Sequence, residues 1–331
     1  MKKLFSVLLS ACILLSACGQ KIEDNTIITE SDEPEAKVSE FYKKVVNDTR
    51  PIAVMIDNDD DNARPQTGLE NAYLIYEIII EGGSTRFMAL FKDYNAEKVG
   101  PVRSSRHYFL DYALENDAIY SHCGWSPKAQ RDIPSLGIQN INGIIGTDGK
   151  AFWRDNTYNR TWHNLYTSTK ILSDFSENKG YSFKTESQLL NFDKNEKEIT
   201  GEDAEEIILK YSYRYSTSYK YDTEKGVYLK YIDGAPHNMQ SGEPLDCENI
   251  IAYQVKNFNL NDGENKGRQD ISNIGSGEGF LFSGGKCIKI KWSKPSRAEK
   301  TVYTYENGEE ITLNPGRTFI NIVPQNGNIT Y

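Results

Sequence analysis

An α/β domain followed by a mainly β domain is the architecture this sequence predicts, and three observations carry it. Between Pro51 and Asn191, short apolar runs alternate with loops and helical spacing, the pattern of strands and helices sharing one sheet. Beyond residue 207 the runs are short, rich in β-branched and aromatic residues, and separated by Gly, Asn or Pro, as in an all-β unit. Between the two lies a segment dense in Asp193, Glu196, Glu198, Glu202, Asp203 and Glu205, an acidic linker over 192–206. The chain has 331 residues, 38% of them hydrophobic, which is enough for a core in each of two domains.

The N-terminus reads as an address. Lys2 and Lys3 precede the apolar run from Leu4 to Leu15, too short to span a bilayer but suited to a signal peptide over 1–17. Leu15-Ser16-Ala17-Cys18 resembles the lipobox of bacterial lipoproteins, which implies that Cys18 becomes the first residue and carries diacylglycerol and palmitate-type acyl chains. Two or three such chains hold a soluble domain at a membrane surface. Cys12 is discarded with the signal. The stretch 18–48, with Glu23, Asp24, Glu30, Asp32, Glu33, Glu35 and Glu40, reads as the lipidated cysteine and an acidic tether. About 30 coil residues reach roughly 30 Å. The expected location is the outer face of the cytoplasmic membrane.

The elements of the first domain, 49–191, follow in order. Ile52 to Ile56 is a buried-type strand. Ala72 to Ile80 and Thr85 to Tyr94 are two more, joined by Glu81-Gly82-Gly83-Ser84, where the glycine pair supplies positive φ. After Gly100-Pro101-Val102, Tyr108, Phe109, Tyr112 and Ala113 keep helical spacing, with a serine of Arg103-Ser104-Ser105 as N-cap. Asp117 to Tyr120 is a strand ending at Ser121-His122-Cys123-Gly124, and Ser126-Pro127 opens the next helix. In the second domain, 207–331, Tyr211, Tyr213 and Tyr215 alternate as a strand face that could stack on sugar rings or pack within a sheet. A hairpin turns at 222–226, and Gly275-Ser276-Gly277-Glu278-Gly279 leads into another.

A formal net charge of −9, from 38 Lys+Arg against 47 Asp+Glu, gives no broad basic field, so nucleic acid is not an expected partner. An anion site must instead be a local gathering of arginines. Arg64, Arg86, Arg103 and Arg106 fall at predicted turns or strand ends, and Arg103, Ser104 and Arg106 flank a helix start. Glu81 and His122 stand at neighbouring strand ends, the edge where open α/β sheets place ligands. Arg154, Asp155, His163 and Asn164 could complete a polar pocket. Equally, the arginines could be structural partners of Glu77, Glu81 or Asp111.

Asp57, Asp59 and Asp61 imitate the start of a calcium loop, but Asn62 and Gly68 stand where an EF-hand needs glycine and glutamate. Only a looser site for Mg or Ca at Asp57 and Asp59 survives. The four histidines show no zinc spacing, and no GxSxG is present. In an oxidising exterior Cys247 and Cys287 could pair, with Cys123 left in the core.

Ala63-Arg64-Pro65-Gln66-Thr67-Gly68-Leu69, Glu81-Gly82-Gly83-Ser84-Thr85-Arg86-Phe87, Gly100-Pro101-Val102-Arg103-Ser104-Ser105-Arg106 and His163-Asn164-Leu165-Tyr166 resemble the YerB-like lipoproteins of Gram-positive bacteria. So do Trp292-Ser293-Lys294 and Leu313-Asn314-Pro315-Gly316-Arg317-Thr318 in the second half. This resemblance implies two domains of unknown function and an extracytoplasmic place. The region Thr85 to Arg106 is also similar at fold level to the LytR-CpsA-Psr envelope phosphotransferases, whose arginines hold a polyprenyl pyrophosphate beside magnesium. Here Pro101-Val102-Arg103-Ser104 replaces that family's Pro-Arg-Asp order.

Three readings follow. The first is an accessory or binding lipoprotein of the cell envelope, not an enzyme, that recognises an anionic cell-wall component or an envelope protein. The second is a Mg-dependent phosphotransferase-like enzyme on lipid-linked pyrophosphate, with Arg86, Arg103 and Arg106 as the clamp. The third is a scaffold without a small-molecule site.

Overall fold

The central feature of the computed structural model is a single 11-stranded sheet to which both halves of the chain contribute. The structure describes residues 38–157 and 162–331. The expected signal peptide, Cys18 and the tether up to residue 37 lie outside the described residues.

In the first half the elements are α1 (Glu40–Val45), β1 (Ile52–Asn58), β2 (Leu74–Ile79), β3 (Thr85–Phe91), α2 (His107–Glu115), β4 (Ile119–His122), α3 (Pro127–Ser135) and β5 (Asn140–Asn142). A short pair, β6 (Trp153–Arg154) and β7 (Leu165–Tyr166), precedes α4 (Thr169–Asn178). The second half supplies β8 (Glu206–Lys210), β9 (Ser216–Asp222), β10 (Val227–Ile232), β11 (Asn249–Val255), β12 (Gly275–Ser283), β13 (Lys286–Lys294), β14 (Val302–Thr304), β15 (Thr318–Pro324) and β16 (Asn328–Thr330).

The large sheet runs β14-β13-β12-β11-β15-β2-β3-β1-β4-β5, and a smaller sheet contains β10-β9-β8-β16. The two halves meet where β15 lies parallel to β2, Phe319 opposite Ile75. Strands β1, β2 and β3 are buried along their whole length, as near-continuous apolar runs require when both faces are covered. Neighbouring residues of β2 point to opposite faces. Tyr76 reaches Glu115 of α2 on one side, and Glu77 reaches Lys230 of the small sheet on the other.

The mixed first half and mainly β second half agree with the sequence reading. The Gly82-Gly83 turn also forms, with φ of 74° and 83°. Ser126 caps α3 by accepting from the Ala129 N–H. Several expectations change. Arg106, not a serine, occupies the N-cap of α2, because Ser105 is drawn inward to accept the Tyr120 hydroxyl at 2.8 Å. Tyr211, Tyr213 and Tyr215 share no strand face: the Tyr211 N–H donates to the Tyr215 carbonyl across a turn. Tyr211 and Tyr215 are thereby buried and Tyr213 turned outward, so no aromatic platform for a sugar exists there. Cys123, Cys247 and Cys287 are free thiols, so the Cys247–Cys287 bond that the sequence left open is not formed. Gly275 to Gly279 is the first half of β12 itself, where Gly277 leaves room for the Trp292 indole. The last residues of the expected tether are helical, since Val45 of α1 packs into the core. The acidic linker contributes Glu202–Asp203 as a short strand beside β13.

Candidate functional site

Strands β1 and β4 are parallel, but they pair only from Ile52–Ile119 to Val54–Ser121. Beyond that point they diverge, and the segment from Val102 to Ser105 wedges into the gap. The Arg103 N–H donates to the Met55 carbonyl at 3.0 Å, and the Arg103 carbonyl accepts from the Cys123 N–H at 3.0 Å. On its other side, Val102 donates to the Leu165 carbonyl at 2.7 Å, which sets the β6–β7 pair beside the wedge. A crevice at the carboxyl ends of parallel strands is where open α/β sheets bind ligands.

Asp57, near the end of β1, is fully buried and anchors the site. Its Oδ2 accepts from His163 Nδ1 at 2.6 Å and faces Arg103 Nε at 2.7 Å. Burial works to raise this carboxyl, but the His163 hydrogen bond and the charges of Arg103 and Arg86 outweigh it and hold it below the ordinary aspartate range. Arg86 is opposite Asp57 in the β1–β3 register and donates to the Ser104 carbonyl at 2.6 Å. Burial, reinforced by the like charge of Arg106, pulls the Arg86 guanidinium down to about 10, so it is still a cation at neutral pH. Its Nε is buried without a hydrogen-bond partner. Arg106 Nε binds Glu81 at 2.6 Å. Arg268 also approaches Glu81, at 3.8 Å, but brings its own partners Asp262 and Glu264.

Arg86, Arg103 and Arg106 thus gather around two carboxylates, Asp57 and Glu81, leaving a local excess of positive charge. Arg154 adds to it from the β6 side. Burial raises the Cys123 thiol, while the charges of Arg154 and Arg103 oppose that, which places both guanidiniums near this thiol. Arg154 is held by the Asn164 side chain, and the Asn164 amide donates to Asn156 at 2.5 Å. Around the rim, Trp162, Ile144 and Ile145 are exposed, at 73%, 60% and 47%. The Trp162 carbonyl accepts from Arg103 Nη1 at 3.4 Å, which ties this exposed residue to the guanidinium.

Other expected site residues fall elsewhere. Arg64 turns to Asn58 and Asp61 and lines a separate cavity with His237. His122 is fully buried, and its Nδ1–H donates to the Gly124 carbonyl at 2.7 Å. Burial brings it to about 4, making it a neutral structural group. Asp155 is taken by Lys98 at 2.5 Å. Of the two candidate cation ligands, Asp57 is engaged by His163 and Arg103, and the Asp59 N–H donates to Asp57 Oδ1 at 3.3 Å. Among the described residues no three His, Cys, Asp or Glu side chains gather to hold a metal. Sequence reasoning missed Trp162 and the Ile144-Ile145 pair, since nothing in their local pattern marks exposure. It also missed Asn142, whose Oδ1 accepts from the Gly124 N–H at 3.0 Å and shapes the rim.

Residues 40–182 match the family described as the N-terminal domain of a protein of unknown function (DUF3048), and residues 207–320 match its C-terminal domain. The chain is 33% identical over 283 residues to the protein titled "Putative lipoprotein YerB" of Bacillus subtilis (strain 168), covering 84% of this chain and 82% of that one. It also resembles the crystal structure of the YerB protein from Bacillus subtilis, with a TM-score of 0.75 and 32% identity over 86% of this chain and 94% of the other. No described helix is long and apolar enough to cross a membrane. This chain belongs to the YerB-like two-domain family.

Proposed function

We propose that the protein is an extracytoplasmic binding lipoprotein, anchored to the outer face of the cytoplasmic membrane through Cys18, whose arginine face recognises an anionic component of the cell envelope. The observation that supports this reading is the arrangement around Asp57. One buried carboxylate holds Arg103 and His163 side by side, with Arg86 opposite it in the strand register and Arg154 on the neighbouring β6. Groups held in this way lose little freedom when an anion arrives, and guanidinium forks match phosphate or carboxylate geometry. The exposed Trp162, Ile144 and Ile145 give the same face an apolar margin. This reading needs no metal, because Asp57 is engaged by the protein's own cations.

The test is to titrate the purified, lipidated protein with lipid-linked pyrophosphate precursors and with peptidoglycan fragments, with and without Mg²⁺. Binding of a phosphate-bearing ligand that weakens with salt, ignores Mg²⁺ and falls at least tenfold in Arg103→Ala is expected. Equal binding by the variant rejects the face as the site. Metal-dependent turnover would move the protein to the phosphotransferase reading.

A further inference from the structure

Among the described residues between 38 and 191, the exposed large apolar side chains are Ile144, Ile145 and Trp162, and all of them stand at the rim of the arginine crevice. A single exposed apolar residue is ordinary, whereas a contiguous group marks an interaction surface. Each is held outward by the backbone. Ile144 and Ile145 occupy a turn between Gly143 and Gly146, a place where polar residues or glycine are the usual choice. The buried Asn142 fixes that turn: its Oδ1 accepts from the Ile144 N–H at 3.3 Å and its carbonyl from the Ile145 N–H at 2.9 Å. Trp162 is pinned through its own carbonyl, the acceptor for Arg103, and through the next residue, His163, which is bound to Asp57.

The two loops belong to one surface. A Cβ on Gly124 would stand 3.1 Å from Ser104 Oγ and 3.9 Å from Ile144 Cδ1, so the isoleucine turn abuts the wedge that carries Arg103. The charges of Arg103 and of the exposed Arg154 both reach the Cys123 thiol, which itself lies against Gly143. Apolar tips and guanidiniums are thereby interleaved. The acidic loop beside them has partners of its own: Asp61 pairs with Arg64 at 2.8 Å, and Asp60 accepts from the Asn62 N–H at 2.7 Å.

We propose that this rim docks on a bilayer containing anionic phospholipids, Arg103 and Arg154 meeting headgroup phosphates while Ile144, Ile145 and Trp162 enter the boundary between headgroups and acyl chains. The proposal rests on the anchored, anion-binding reading above and narrows its ligand to lipid headgroups in the membrane plane. Tryptophan, aliphatic tips and arginines together are what that boundary favours. Three side chains fall far short of the roughly 1,000 Å² that a stable protein interface needs. Against a bilayer they suffice, because the acyl anchor of that reading supplies most of the attachment and keeps the local concentration of lipid high. The described chain begins at α1, beside the start of β1, whereas the rim lies at the other end of that strand. Reach is no obstacle, since the 19 residues from Gly19 to Lys37 extend to at most roughly 65 Å.

The experiment places the full lipidated chain in vesicles of phosphatidylcholine, alone or with one third phosphatidylglycerol, with bromine on the phosphatidylcholine acyl chains as a contact quencher of tryptophan. Trp162 is read as the difference between the wild type and Trp162→Phe, which removes it from the 4 tryptophans of the sequence. About half of the Trp162 emission should be lost in the anionic vesicles and little in the neutral ones, and the loss should reverse as salt is raised. Arg103→Ala/Arg154→Ala and, separately, Ile144→Ser/Ile145→Ser should each reduce the quenching at least threefold. The isoleucine variant leaves Asp57 and its partners untouched, so it decides if the arginine variant does not fold. Docking is overturned by an unquenched Trp162 in anionic vesicles, by equal quenching in neutral ones, or by full quenching in the folded isoleucine variant. An unquenched Trp162 together with Arg103-dependent binding of soluble pyrophosphate or a peptidoglycan fragment would overturn docking and leave the anion-binding reading intact, whereas absence of both overturns both.

Discussion

Among the charges this molecule places in its interior, two groups are built on opposite terms. At the joint between its halves, every charge is closed off by partners. Glu77 accepts from Thr85 at 2.8 Å, Tyr215 at 2.7 Å and Lys230 at 2.6 Å, and Lys230 stands 4.5 Å from the Tyr219 ring centre and 4.9 Å from that of Phe319. On the other face of the sheet, Glu115 accepts from Tyr76, Lys294, the Thr301 N–H and the Thr301 hydroxyl. Each pair takes its carboxylate from the first half and its lysine from the second. At the arginine face, by contrast, cations outnumber carboxylates, Arg86 keeps an unpaired Nε, and the Arg103 side chain is 28% exposed. The difference separates charges that hold a fold from charges left ready for a partner. A buried pair contributes specificity of docking more than net stability, since desolvation offsets much of its attraction.

The sharpest way to break this contrast is at Lys230. Lys230→Met leaves Glu77 buried and uncompensated, and unfolding in urea should show a loss of about 3–5 kcal/mol. The double variant Glu77→Gln/Lys230→Met should recover most of it, because no lone charge remains. If the single variant is as stable as the wild type, the joint is not held as described.

His122 gives the next effect, through pH. Its folded value is about 4 against an ordinary 6.5, so the unfolded chain takes up a proton that the folded chain refuses across this window. The associated stability is therefore present above pH 6.5 and lost as pH falls towards 4, by up to about 3 kcal/mol. In His122→Asn the stability–pH curve should flatten by that amount between these limits. An unchanged slope would show that His122 can be protonated in place.

Arg103→Ala is expected to act the other way round from Lys230→Met. Asp57 keeps His163 and the nearby charge of Arg86, so the stability loss should stay near 1 kcal/mol. Anion binding should nonetheless fall at least tenfold. Denaturation and binding measured on the same preparation separate the two. A large stability loss with unchanged binding would make the arginine face a second structural joint.

These contrasts also mark what the sequence allowed to be read. The strands were legible because apolar runs such as Ile52 to Ile56 or Thr318 to Val323 carry their own period and their own breakers. Arg86, Arg103 and Arg106 were legible as strand-end residues, and three of the four expected arginines do converge. What holds them was not. Asp57 and His163 are 106 residues apart, and their meeting depends on the wedge of Val102 to Ser105 between two diverging strands, which leaves no local pattern. The continuity of the sheet through β2 and β15 was hidden for the same reason: an all-β second half says nothing of which of its strands will cross to the first. Whether Cys247 and Cys287 pair was not legible, because compartment and number allow a bond that only geometry grants, and both are free thiols here.

The tyrosines after β8 supply the smallest test, and it divides residues that looked alike in sequence. Tyr215 donates to Glu77 at 2.7 Å and accepts from the Asn58 amide at 2.6 Å, so its hydroxyl ties the joint to the end of β1. Tyr215→Phe keeps the ring and leaves both groups short of a partner, for an expected loss of about 1–2 kcal/mol. Tyr213 is 83% exposed, with Arg214 over its ring as its aromatic contact. Tyr213→Ser should therefore change stability by no more than about 0.5 kcal/mol. Equal losses at the two positions would mean that the chain between β8 and β9 runs as a strand after all, with both rings on one face.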